Sequence, residues 1–475
     1  MGRGNSTTFI DSLDDDSLLN IFCVSRPVLL DEDDDDDDRI LDGGEWGRER
    51  WWYNLPHVCR RWRYLIFGSA SYLGLSLVCT DNTPVANMLE HSPPLPLVID
   101  HIDNDYISAK DEEGIILALQ HRDRVRRIRL RMSVPNLQKL LVALNDKFPM
   151  LEYLIISPPH KHIEGLTLPR TFQAPRLRHI MLVNFDFPIR SPLLTPAVGL
   201  VTLSLQFIHP SAYFHPNDLL QQLALMPQLE TLGIDFHSPV LDRDVEMQLF
   251  NTPMTTHVAL PNLRWFGFGG ASAYLEVLLP RVTTPLLQKL QIVYPDQPTF
   301  FVPCLLQFMI TAKTLRFISA KFCFYDNKFL VRVYPREGAS IYAFDMEVLC
   351  RYLDLQVSSM AQISNTLSPV FSAVTHLTLL DEGHNLLSEG RSEVDRTEWH
   401  RLLRSFSNVK TLLVDNELVG ELARCLQSDH GELPHELLLE LKELIVLAGC
   451  ATGDAFQPFI DARQIAGHPV NLVRC

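Results

Sequence analysis

Between Leu151 and Leu182 the chain reads LEYLIISPPHKHIEGLTLPRTFQAPRLRHIML, and one frame occurs in it twice. An apolar residue is followed by two variable ones, an apolar one, a variable one and an apolar one. It appears as LEYLII at Leu151 and, 26 residues on, as LRHIML at Leu177. The alternation at the end of the frame is that of a strand with one buried face. The same frame fits VRRIRL at Val125, LVTLSL at Leu200, LETLGI at Leu229, LRWFGF at Leu263, LQKLQI at Leu287 and LRFISA at Leu315. It continues with VTHLTL at Val374, VKTLLV at Val409 and LKELIV at Leu441, with weaker matches at Tyr72, Pro94 and Cys350. From Val125 to Leu315 the starts are spaced by 26, 26, 23, 29, 34, 24 and 28 residues. Stretches such as NLQKLLVAL (Asn136 to Leu144) and NDLLQQLALM (Asn217 to Met226) lie between them and carry apolar residues at helical spacing.

Strand, turn, helix, turn at such a period resembles a leucine-rich repeat. The fold this implies is α/β. An irregular leucine-rich-repeat solenoid occupies 71–475, with parallel strands on one face and helices on the other. An ordinary α/β sheet with leucine-rich strands is the alternative. The repeats depart from the family at one point. Asn or Cys usually stands three residues after the last apolar position, and here Ser133, Phe185, Ile208, His237 and Ala271 do. Longer intervals imply insertions.

Period-two alternation sends the third, fifth and seventh residues of each frame outward. These are Arg127, Arg129 and Arg131 in the Val125 frame, then Tyr153, His179, Met181, Trp265, Lys289, Phe317 and His376. Aromatics, Met and Arg are enriched in protein-binding patches, so these residues are the expected target-binding surface, suited to an acidic or mixed protein ligand.

The N-terminal 70 residues read differently. In FIDSLDDDSLLNIF (Phe9 to Phe22), Asp14 fits an N-cap, Asp15 and Asp16 suit the first helical turn, and Leu13 can staple to Leu18. Leu18, Leu19 and Phe22 form an apolar stripe. In NLPHVCRRWRYLIFG, Asn54 can cap a helix from Leu55, with Pro56 in its first turn. Leu55, Val58, Cys59, Trp62, Leu65 and Ile66 follow helical spacing, and Gly68 ends it.

These segments resemble an F-box, a family that pairs L-P-x-E/D-x-L-L-x-x-I-F with a later V-C-x-x-W-R. The matching residues are Leu13, Asp16, Leu18, Leu19, Ile21 and Phe22, then Val58, Cys59, Arg60, Trp62 and Arg63. The block from Gly44 to Ala70 is similar to F-box proteins of mushroom-type fungi. Asp14 stands where the family has Pro, and 36 residues separate Phe22 from Val58. The resemblance implies a tail at 1–8, an F-box-like helical domain at 9–70 with a solvated acidic insertion at about 31–44, and then the repeats. It implies the substrate-recognition subunit of a Skp–cullin–F-box ubiquitin ligase. Leu13, Leu18, Leu19, Phe22, Val58, Cys59 and Trp62 would bind the Skp adaptor and the repeats an unidentified protein. The alternative is a repeat scaffold whose N-terminal helices only cap the array.

The totals bound the partners and the address. Net charge is −15, and without the eight acids of Asp31 to Asp38 it is −7. That balance disfavours nucleic acid as a partner. Nine cysteines without a CxxC suggest reduced thiols and a cytoplasmic or nuclear address. No apolar run is long enough to insert stably in a membrane. MGRGNS fits the myristoylation pattern through Gly2 and Ser6, but one acyl chain anchors only marginally. HRD at His121 lacks the other kinase motifs, GFGGASA at Gly267 lacks a phosphate-loop Lys, and HKH at His160 reads as a surface loop. The acidic run lacks the spacing of a calcium loop. No catalytic residue, metal ligand or cofactor is expected.

Overall fold

The computed structural model describes residues 13–27, 49–102, 107–159, 165–236, 254–295, 300, 302–383, 396–427, 437–447 and 453–474. The 1–8 tail, Gly2 and Ser6, the acidic insertion, His160 to His162 and His237 lie outside them. The fold is mixed α/β, built on parallel strands. The chain divides into two compact units, Met1–Phe187 with Ser191–Ala197, and Pro188–Arg190 with Val198–Cys475.

The first unit holds the N-terminal helices α1 (Asp15–Val24), α2 (Arg60–Gly68) and α3 (Ala70–Leu73). With them are the strands β1 (Leu77–Cys79), β2 (Leu97–Ile102), β3 (Val125–Arg131), β4 (Tyr153–Ser157) and β5 (His179–Val183). The strands pair in parallel and in chain order. Each frame's apolar positions are buried: Val125, Ile128 and Leu130, then Leu151, Leu154 and Ile156, then Leu177, Ile180 and Leu182. The frame's second residue carries the ladder from coil to coil. The Glu152 amide donates to the Arg126 carbonyl at 2.8 Å, and that of Arg178 to Glu152 at 2.9 Å. The stretch at Asn136 is helical over Val134–Leu141, with Leu137, Leu140 and Leu141 buried.

In the second unit the strands are β6 (Thr202–Ile208), β7 (Thr231–Phe236), β8 (Val258–Ala259), β9 (Trp265–Gly269), β10 (Val282–Thr283) and β11 (Lys289–Tyr294). Then come β12 (Ser319–Tyr325), β13 (Lys328–Tyr334), β14 (Phe344–Leu349), β15 (His376–Asp381), β16 (Thr411–Val414), β17 (Glu443–Val446) and β18 (Asn471–Arg474). Their order is β6-β7-β9-β11-β14-β13-β12-β15-β16-β17-β18, with β8 and β10 in a separate parallel pair. The ladder recurs: Arg264 to Glu230, Gln288 to Arg264 and Lys442 to Lys410, each at 2.8 Å.

Among the described residues the parallel order is interrupted where β12, β13 and β14 form an antiparallel meander. This corrects two frames. Around Leu315 the strand begins later, at Ser319, and Ala320 and Phe322 lie beside Leu377 and Leu379 of the next coil. The working frame is Phe317, Ala320, Phe322, two residues on. Phe317 is therefore a buried inward position rather than an outward one. The weak match at Cys350 is no strand. It leads into the helix Leu353–Thr366, whose buried Gln356 Nε2 donates at 2.7 Å to the carbonyls of both Tyr325 and Cys350. At the family's Asn position, Phe185, Ile208 and Ala271 are buried apolar residues, so they supply core packing in place of side-chain hydrogen bonds.

Candidate interaction surfaces

The N-terminal helices form a small core. Asp14 caps α1, its Oδ1 accepting from the Ser17 amide at 2.6 Å. Leu18 and Phe22 are buried, and Phe22 meets Trp62 edge-on at 4.8 Å between centroids. Arg61 ties α2 to the start of α1, donating to Asp15 Oδ1 at 2.7 Å and the Leu13 carbonyl at 2.6 Å. The helix expected from Leu55 is interrupted. A single 3-10 turn covers Leu55–His57, and α2 starts anew at Arg60. Asn54 already has helical backbone angles and makes no side-chain cap. Cys59 is extended instead, and its Sγ accepts from the Trp62 amide at 3.4 Å. Gly68 does end the helix.

This geometry divides the residues expected to meet an adaptor. Leu18 and Phe22 are spent inside the core, and Leu13, Leu19 and Trp62 are half-buried. Val58, 60% exposed, and Cys59 face solvent. Other exposed apolar residues join them: Val24 at 84%, Tyr64 at 80%, Tyr72 at 63% and Ile21 at 46%. Val24, Tyr64 and Tyr72 were not among the expected residues. Their signal in sequence is an apolar or aromatic residue off the helix's buried stripe.

On the strand face of the first unit, register aligns Arg127, Tyr153 and His179 in one row and Arg129, Ile155 and Met181 in the next. The three arginines expected to form a row of positive charge differ in their surroundings. Arg129 is only 2% exposed, and it forms a two-bond pair with Asp100 of β2, Nε and Nη2 each at 2.7 Å from a carboxylate oxygen. Met181 is buried. Arg127 pairs through Nη1 with Glu49, whose other carboxylate oxygen accepts from Ser76 Oγ. The Arg127 guanidinium stacks at 4.5 Å on Tyr153, and Tyr153 stacks on His179 at 4.1 Å and 9°. Burial holds the His179 imidazole down at about 4, with Arg178 and Arg127 adding to the effect. Arg131 is half-exposed, and its buried Nε has no hydrogen-bond partner among the described residues.

On the strand face of the second unit, Trp265 and Lys289 are neighbours across β9 and β11. The indole lies over Gly267 and Gly233, where an added Cβ would come within 2.4 and 3.1 Å of its ring. Lys289 Nζ sits 4.0 Å above the Tyr342 ring, and His376 Nε2 lies 3.1 Å from Glu337. Among the described residues no group of His, Cys, Asp and Glu is arranged to hold a metal, and no helix is long and apolar enough to cross a membrane.

No family model matches the chain, and no curated protein matches it. Among solved structures it is similar to the leucine-rich repeat-containing protein LegL7 from Legionella pneumophila. Identity is 12% over 83% of this chain and 98% of that one, with a TM-score of 0.25.

Proposed function

We propose that this chain is a non-catalytic recognition protein, the substrate-recognition subunit of a Skp–cullin–F-box ubiquitin ligase in the cytoplasm or nucleus. Its N-terminal helices dock the Skp adaptor and its repeats hold a protein target, so that ligation is promoted by proximity. The observation that carries this reading is the set of large apolar side chains left exposed on and between those helices, Val24, Val58, Tyr64 and Tyr72, beside an internal core of Leu18 and Phe22 against which half-buried Trp62 packs. Core residues stabilise the module, and the exposed ones are available to a partner.

The test follows that division. Burying two valines contributes roughly 3 kcal/mol, about a hundredfold in affinity. Val24→Glu with Val58→Glu should abolish co-purification of the Skp adaptor from the native host and leave the melting temperature unchanged. Undiminished adaptor recovery would overturn the assignment.

A second reading, a scaffold whose helices only cap the repeats, is favoured by Trp52 and Tyr53. Both lie against β1: Trp52 Nε1 donates to the Ser76 carbonyl at 3.3 Å, and the Val78 amide donates to the Tyr53 hydroxyl at 2.8 Å. Absence of the adaptor from the wild-type pull-down selects this reading.

A further inference from the structure

Arg127 looks like a residue that should greet a partner, yet a carboxylate of its own chain holds it. Glu49 lies 78 residues away in sequence and outside the repeats. It presents one oxygen to Arg127 Nη1 on β3 and the other to Ser76 Oγ just before β1. Two donors on separate coils therefore converge on a single carboxylate, which is the chemistry of an acid-recognition site. Arg127 is positioned by more than its counter-ion. Its guanidinium rests on Tyr153, and Tyr153 on His179, a stack that crosses three strands without Glu49. The ion pair is also within reach of solvent, with 19% of the Arg127 side chain and 21% of that of Glu49 exposed. Both side chains are nonetheless mostly buried and Ser76 is 2% exposed, so Glu49 can leave only if another carboxylate takes its place on the two donors.

We propose that Arg127 and Ser76 form a carboxylate-recognition site on the strand face. Glu49 fills it in cis, and an acidic side chain of a protein partner is the ligand that replaces it. This rests on reading the strand face as the partner-binding side of the repeats. The row offers one guanidinium, one hydroxyl and an aromatic stack, which fits an Asp or Glu flanked by residues that can lie against Tyr153.

The experiment uses the full chain and a fluorescein-labelled Ala-Glu-Ala-Glu-Ala peptide, followed by anisotropy at low ionic strength. Glu49→Gln should tighten binding about five-fold over wild type, because a neutral amide competes less well than a carboxylate for the Arg127 guanidinium. Arg127→Gln, alone or with Glu49→Gln, should lose binding, and a peptide with Gln for Glu should not bind. Equal affinity of wild type and Glu49→Gln overturns the proposal. So does a Glu49→Gln chain that no longer melts cooperatively, because the contact is then a structural strap. Adaptor co-purification from the same preparations reads the proposed function separately. Gain of peptide binding without adaptor recovery keeps this site and rejects the ligase reading, and the converse rejects this site alone.

Discussion

An outward position on a strand is not the same as an available one, and Arg129 and His179 show why. Alternation tells which side of the sheet a residue leaves from, but partners arrive from other coils: Asp100 is 29 residues from Arg129. A buried, doubly bonded pair cannot greet a target, because separating it strands a charge in the protein. His179 is constrained differently. Its folded value near 4 lies below the ordinary 6.5, chiefly through burial, so the folded chain resists protonation that the unfolded chain accepts. Between about pH 6.5 and 4 the unfolded state binds more protons, and stability falls as pH falls through that window. Discounted for the solvent-facing side of the ring, the loss is about 1 kcal/mol. His179→Phe keeps a ring against Tyr153 and removes the titration. Urea midpoints at pH 7 and pH 5 should therefore move less in the variant than in wild type, and equal movement would show that His179 does not set this limb.

At the scale of the element, the sequence announced strands better than it announced their company. The inward triplets at Val125, Leu151, Leu177 and Leu229 are all buried, because a period-two apolar pattern has one stable way to face a core. The meander of β12 to β14 was illegible for the same reason: alternation is identical in parallel and antiparallel strands. Leu315 and Phe317 also both suit a frame's first position, so the register slipped by two. The break before α2 leaves no mark on the pattern, because Leu55 and Val58 keep helical spacing across a chain that turns at Cys59. Helix starts between coils were hidden too when their caps come from elsewhere. The helix Pro303–Thr311 has no side-chain cap from Val302. Buried Glu276, on the preceding helix Ser272–Leu278, accepts from the amides of Cys304 at 2.7 Å and Leu305 at 2.9 Å. Burial raises its pKa while those amides oppose the rise. Glu276→Ala leaves two amides without an acceptor and should cost about 1–3 kcal/mol in urea unfolding, with Glu276→Gln retaining part of it. A Glu276→Ala midpoint equal to wild type would mean that water caps the helix as well.

At the scale of the whole chain, repeats that pair mainly with their neighbours make stability local, and the ends of such an array need cover. The edge of β1 turned away from β2 would present unpaired backbone to water or to another chain. Trp52 and Tyr53 occupy that edge through the Ser76 carbonyl and the Val78 amide. Trp52 is also 4% exposed and meets the Tyr53 ring at 4.8 Å and the Phe67 ring at 6.1 Å, so it joins the edge to α2. In the sequence this block carries only a resemblance to F-box proteins, since nothing in WWYN states that two aromatics serve as the next strand's hydrogen-bond partners. Trp52→Ala removes a large buried ring, a loss of about 3–5 kcal/mol. In an array with nearest-neighbour coupling the loss should stay near its origin. Amide hydrogen exchange should quicken at Leu77–Cys79 and then at Leu97–Ile102, while Thr411–Val414 and Glu443–Val446 keep their wild-type protection. Uniform acceleration across all four strands would instead show that the chain unfolds as one cooperative body, and the N-terminal aromatics would then be part of a global core rather than the cover of one end.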